Sequence, residues 1–232
     1  QIIEVVSKYW ATEGWAQPTS PVQMCCNGDT VMMLNPDNKK LYFVDLFGEY
    51  TLDPASWNIA KVIVPNEDAQ YASVAYITGV FVAACQIDGK SYIQYTNVLD
   101  HEMIHAFQLD TALTNLTALA SNMRELWCFG ANSIEVIAPT GEADENFFAH
   151  IQGAYANKGC VCKNSIATYE TMFFFYGTNG NIYAAENYSA LKPISTPALL
   201  SMIKSWGSIE TQADKDGIIG QVFTQDGHTY NM

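Results

Sequence analysis

The chain has 232 residues, of which 49% are hydrophobic and only 15% charged, and its net charge is −13. That length is enough to bury a substantial core within one all-β unit, while 24 acids against 11 bases exclude a binder that grips nucleic-acid phosphates with clustered Lys and Arg. So little charge suits a subunit with large protein interfaces better than a freely soluble enzyme, and an acidic wall repels a passing polyanion rather than holding it.

The chain starts Gln1-Ile2-Ile3-Glu4, with no initiator Met, signal peptide or transit peptide, and no apolar run approaches the roughly 20 residues of a membrane helix. The expectation is a single β domain over 1–232, an interior segment of a longer protein. Trp10, Trp15 and Trp57 fall in poorly patterned sequence and carry no assigned role. Strand-length apolar segments begin at Thr30 to Leu34, turn at Asn35-Pro36-Asp37-Asn38, and return over Leu41 to Leu46. Ala60 to Val64 is β-branched and ends at Pro65-Asn66. Ser73 to Ile77 and Val80 to Ala84 flank Thr78-Gly79 as a hairpin, and Ser91 to Tyr95 alternates as a half-buried strand does.

Asp100 to Met123 fits two readings. Ile104, Phe107, Leu113, Leu116 and Leu119 make a helix face, yet the Thr and Asn residues of 110–119 weaken a helix. His101-Glu102-Met103-Ile104-His105 spells H-E-x-x-H. On a helix both imidazoles share a face and reach one zinc, with Glu102 as general base and Glu125 as a third ligand. No His follows at the longer H-x-x-G-x-x-H spacing, because Gln108 stands where the Gly belongs.

The second half repeats the strand pattern at Glu125 to Phe129, Ser133 to Ile137, Phe148 to Gln152, Ser165 to Tyr169, Met172 to Tyr176 and Asn181 to Ala185, with glycines between. Glu135, Glu142, Asp144 and Glu145 form an acidic cluster, the residue type of a glycosidase pair but also of a solvated turn. Phe173-Phe174-Phe175-Tyr176 offers a sugar-stacking platform or, since consecutive strand residues face opposite ways, one buried ring set and one facing a neighbour. Ser195 has no G-x-S-x-G context. Thr196-Pro197 opens a helix over Ala198 to Trp206 that packs through Leu199, Met202, Ile203 and Trp206. Gln221 to Thr224, Asp226-Gly227 and His228 to Asn231 read as a last hairpin. Cys25, Cys26, Cys85, Cys128, Cys160 and Cys162 lack paired C-x-x-C spacing and read as reduced thiols. Many short strands with frequent turns indicate a sandwich, barrel or propeller, and no internal repeat is sharp enough to count blades.

One stretch adds a family likeness. Arg124-Glu125-Leu126-Trp127-Cys128-Phe129-Gly130, Ser133-Ile134-Glu135-Val136, Thr140-Gly141, Ile151-Gln152-Gly153, Gly159-Cys160, Ser165-Ile166-Ala167 and Ile194-Ser195-Thr196 occur in that order. Their order and spacing resemble the packaged-DNA stabilisation proteins of short-tailed bacteriophages. The hairpin Ser73 to Val82 and the segment Gln225 to Thr229 fit the same likeness; Pro197 departs from it, standing where a His is usual. The resemblance implies a mainly β fold of propeller-like antiparallel sheets with one or two short helices. It implies a structural virion protein, a tail hub or nozzle that closes the DNA channel below the portal and retains packaged DNA. The implied partners are further copies in a ring, a hexamer by the family pattern, the portal or tail adaptor, and tail needle, fibre or spike proteins. DNA passes without sequence-specific binding, and assembly takes place in the bacterial host cytoplasm. The resemblance assigns no catalytic, cofactor or metal residue. The rival readings are a zinc metallopeptidase using His101, Glu102, His105 and Glu125, and a carbohydrate-binding tail module using the aromatic strands.

Overall fold

A computed structural model of the chain describes residues 21–45, 59–63, 69–98, 103–110, 112–122, 124–160, 162–186, 188, 190–205, 211–225 and 228–231. The described residues form four successive four-stranded antiparallel sheets, each an up-and-down meander whose strands neighbour one another in chain order. The first contains β1 (Gln23–Cys26), β2 (Thr30–Leu34), β3 (Leu41–Asp45) and β4 (Ile59–Ile63). The second contains β5 (Gln70–Ile77), β6 (Val80–Ile87), β7 (Lys90–Thr96) and β8 (Met103–Gln108). The third contains β9 (Leu116–Asn122), β10 (Glu125–Gly130), β11 (Ile134–Pro139) and β12 (Phe148–Ala156), and the fourth β13 (Ala167–Tyr169), β14 (Met172–Tyr176), β15 (Ile182–Ala185) and β16 (Leu191–Pro193). Two short helices follow, α1 (Pro197–Ser205) and α2 (Gln212–Gly217), then the hairpin β17 (Val222–Gln225) and β18 (His228–Asn231). A four-stranded meander is the blade of a β-propeller, and the first strands of successive blades meet, β1 against β5 and β5 against β9.

The blades pack face to face, which explains why their middle strands read as unbroken apolar runs. Side chains alternate across a strand. In β6, Phe81, Ala83 and Cys85 join Met32, Leu34, Leu41 and Phe43 of the first blade. Val80, Val82 and Ala84 point the other way, into a layer with Leu126, Cys128 and Ile137 of the third. β10 divides likewise: Leu126 and Cys128 face the second blade, while Trp127 and Phe129 meet Phe173, Phe175 and Tyr183 of the fourth. Rings there lie at contact distance, Trp127 to Phe173 at 5.0 Å and Phe129 to Phe175 at 5.4 Å. Each fully buried side chain of this size contributes about 1.5–3 kcal/mol relative to exposure.

Polar ties hold the inner edges. Ser73 Oγ accepts from the Leu119 N–H at 3.0 Å, joining β5 to β9. Thr117 Oγ1 donates to the Cys160 carbonyl at 2.6 Å, and Asn122 Nδ2 to the Thr171 carbonyl at 2.6 Å, joining β9 to the chain around the fourth blade.

The segment that fitted two readings, 100–123, supplies strands: β8 closes the second blade and β9 opens the third. α1 starts as its sequence indicates, with Thr196 Oγ1 accepting from the Leu199 N–H at 3.3 Å. Its packing differs from expectation, since Ile203 is buried while Met202 is 47% exposed, and Trp206 lies outside the described residues. So do Trp10, Trp15 and Trp57.

Candidate functional site

The zinc motif requires a helix, where positions four apart share a face within reach of one ion. Residues 103–108 are instead strand β8, along which four residues span about 13 Å. His101 and Glu102 lie outside the described residues. His105 stacks on Tyr95 with ring centroids 5.2 Å apart, and its Nε2 is 2.7 Å from Asn97 Oδ1. Glu125 sits on β10 of the next blade and accepts from Trp127 Nε1 at 3.3 Å. The peptidase reading finds no support here, since the backbone over the motif's described residues, Met103 to His105, is extended.

Glu135 is separated from the acidic turn with which its sequence position grouped it. Glu142 and Glu145 are exposed beside the 3-10 turn Asp144–Asn146, whereas Glu135 lies in β11 at 5% exposure. Its Oε2 accepts from the Asp110 N–H at 2.8 Å, and its Oε1 is 2.6 Å from His150 Nδ1. The His150 ring, half exposed, stands 4.7 Å from that of Phe107. A bulge makes this possible. Glu135 pairs with Tyr155 but Ile137 pairs with His150, so β12 bows outward between them, with Gly153 at φ +78°. A groove of about 650 Å³ results, lined by Gln108, Asp110, Glu135, His150, Gln152 and Tyr155. The buried carboxylate ties the end of the second blade to the third, while the Asp110 carboxylate, in the same lining, accepts from the Ala112 N–H at 2.8 Å.

A second cavity, about 580 Å³, runs along the first strands of all four blades. Met24 and Cys26 of β1, Ser73 and Tyr76 of β5, Ser121 of β9 and Thr168 of β13 border it. Among the described residues, Lys163 is the only charged side chain in this lining. No Asp or Glu of the described residues lines this cavity.

The remaining candidates are structural. Phe173 and Phe175 are buried between blades, while Phe174 and Tyr176 are half-buried on the opposite face of β14. That is the two-faced arrangement rather than a ring platform. Ser195 Oγ accepts from the Ile182 N–H and bonds Asn181 Oδ1, both at 3.3 Å. All six cysteines are free thiols. Burial pushes the Cys160 and Cys85 thiols up to about 12, and the Cys162 thiol up to about 11. All three stay protonated and unreactive at neutral pH.

Three comparisons with known proteins bear on the chain. The phage stabilisation family, described as Bacteriophage P22 Gp10, beta-propeller, matches residues 16–215. No curated protein matches. Among solved structures, the beta-propeller domain of Myceliophteria thermophila Cps50 (Swd1) is similar at 11% identity and a TM-score of 0.46, over 73% of this chain and 56% of that one. The computationally designed Ika4 protein is similar at 11% identity and a TM-score of 0.45, over 73% of this chain and 92% of that one. Kluyveromyces lactis Hsv2 is similar at 9% identity and a TM-score of 0.45, over 89% of this chain and 63% of that one. The chain thus spans little more than half the length of the Cps50 propeller domain.

Proposed function

The chain belongs to the phage stabilisation family of the bacteriophage P22 Gp10 β-propeller, and from that premise we propose that it is a ring subunit of a short phage tail, closing the DNA channel below the portal. It is a packaged-DNA stabilisation β-propeller protein by family, a structural protein of the virion. The observation that supports the finer reading is the extent of the match: residues 16–215 take in all four described blades, α1, and α2 except its last two residues. The match thus extends over the four described blades rather than over a local motif.

The role is mechanical and electrostatic. Six copies surround the channel, join the portal or tail adaptor to needle, fibre or spike proteins, and assemble in the host cytoplasm. Ring subunits meet head to tail through two different faces. Exposed apolar side chains such as Val98, Ile194, Met202 and Ile219 suit such contacts. On this reading DNA passes along the ring axis, and each propeller is a block of the wall. The net charge of −13 keeps that wall from gripping phosphates.

Genome retention tests this directly. Heads packaged in cells lacking the protein should fill and then lose their DNA during purification, and supplying the protein in trans should restore nuclease-protected genome. Equal retention with and without it would contradict the proposal.

A further inference from the structure

Lys163 stands at the junction of two cavities. It borders the axial cavity and also a neighbouring one of about 390 Å³ at the same end of the blades, whose lining includes Lys39, Asn115, Thr117 and Asp216. That end carries the β2–β3 turn and the segments entering β5, β9 and β13. These segments come from four blades, so the mouth is a product of the assembled fold.

The Lys163 ammonium is poorly satisfied there. Its side chain is 11% exposed, and its one polar partner among the described residues is Asp216 Oδ1 at 3.9 Å, beyond hydrogen-bond distance. An ammonium has three N–H donors, and a lysine this deeply buried is ordinarily paired and bonded. Burial lowers its pKa below the ordinary lysine value; Asp216 opposes the shift and Lys39 adds to it. Lys39 lines the same 390 Å³ cavity, so a second cation faces that space. The chain after Lys163 is tied down. Asn164 Nδ2 donates to the Asp216 carbonyl at 2.8 Å, and the Gly220 N–H donates to the Asn164 carbonyl at 2.9 Å. Lys39 projects from a turn in which its N–H donates to the Asn35 carbonyl at 2.9 Å.

We propose that this mouth of the propeller is a binding site for a small anion, a phosphate or carboxylate group received by Lys163 and Lys39 beside Asn115 and Thr117. An oxyanion accepts the donors that Asp216 leaves unused and relieves the repulsion between the two lysines. Asp216 sets the limit on affinity, because its own charge opposes the ligand.

Calorimetric titration of the whole protein with inorganic phosphate, and separately with acetate, at constant ionic strength tests the site. Saturable one-to-one binding with a Kd of about 1 mM or tighter is expected for at least one of the two. Lys163→Met should weaken it at least tenfold and Lys39→Ala several-fold. Lys39 is on a partly exposed turn, so that variant carries the test even if Lys163→Met does not fold. Failure of both anions to saturate the wild-type protein, or binding unchanged in Lys39→Ala, would overturn the proposal. Neither outcome depends on genome retention.

Discussion

Replacing Trp127 with Ala will destabilise the protein by about 3–5 kcal/mol, the range for truncating a fully buried aromatic. Trp127 is 0% exposed on β10 and belongs to the layer that joins the third blade to the fourth. Its ring lies 5.0 Å from Phe173 and 6.2 Å from Phe129, and β10 is paired on both sides, with Val136 and Ala120 opposite Trp127. With sheet on either side, little can move into the vacated space, so the cavity term adds to the transfer term. Urea unfolding should show the loss as a lower midpoint with an unchanged slope. Trp127→Phe, which keeps a ring in place, should lose less than half as much. A loss below about 1 kcal/mol for the Ala variant would mean that this layer does not hold the two blades together.

Gly159→Ala will be at least as damaging, by about 3 kcal/mol or more, at the upper end of what overpacking costs. Gly159 lies where the chain leaving β12 crosses the β10–β11 turn. A Cβ there would enter the van der Waals space of the Ala131 carbonyl and the Asn132 nitrogen, all backbone atoms that cannot rotate aside. The crossing is bonded on each side: the Cys160 N–H donates to the Gly130 carbonyl at 2.9 Å, the Thr178 N–H to the Gly159 carbonyl at 3.0 Å, and the Thr178 hydroxyl to the Ala131 carbonyl. Relieving the clash would break these ties. Gly217→Ala, where an added Cβ meets nothing within 4 Å, is the control and should stay within about 0.5 kcal/mol of wild type. Equal thermal midpoints for the two variants would show that the crossing has slack.

The central strands were legible because burial on both faces leaves a continuous apolar signature, as in Val80 to Ala84 and Glu125 to Phe129. The blade count was not legible, since four edge or inner strands hide, among them the four-residue β1 (Gln23–Cys26), before which no strand pattern was read. β8 and β9 fall in a segment whose apolar residues also fit a helical period, and that ambiguity concealed the end of one blade and the start of the next. β16 is three residues long and ends in Pro193, which suits an outer edge and carries almost no signal. α2 was missed although its cue was present. Thr211 and Asp214 form a reciprocal capping box, with the Asp214 N–H donating to Thr211 Oγ1 at 3.1 Å and the Thr211 N–H to Asp214 Oδ2 at 2.9 Å.

Site residues were harder still. Glu135 and His150 are fifteen positions apart, and only the bulge in β12 brings them together. Lys39 and Lys163 come from the first blade's turn and the fourth blade's entry, so no spacing in the chain announces them. The glycines of the family likeness, by contrast, have a physical reason that can be read afterwards. At Gly130, as at Gly159, an added Cβ would crowd a backbone carbonyl, here Thr114 at 2.8 Å. The likeness thus rests partly on places where connecting segments pass too close to the third blade for a side chain.

The decisive measurement is an electron cryomicroscopy reconstruction of the intact virion, with the propeller body fitted into the tail density. Six copies in a ring directly below the portal, with DNA running between subunits rather than through any one of them, is the predicted result. A tail with no density for this propeller, or copies placed away from the channel, would contradict it.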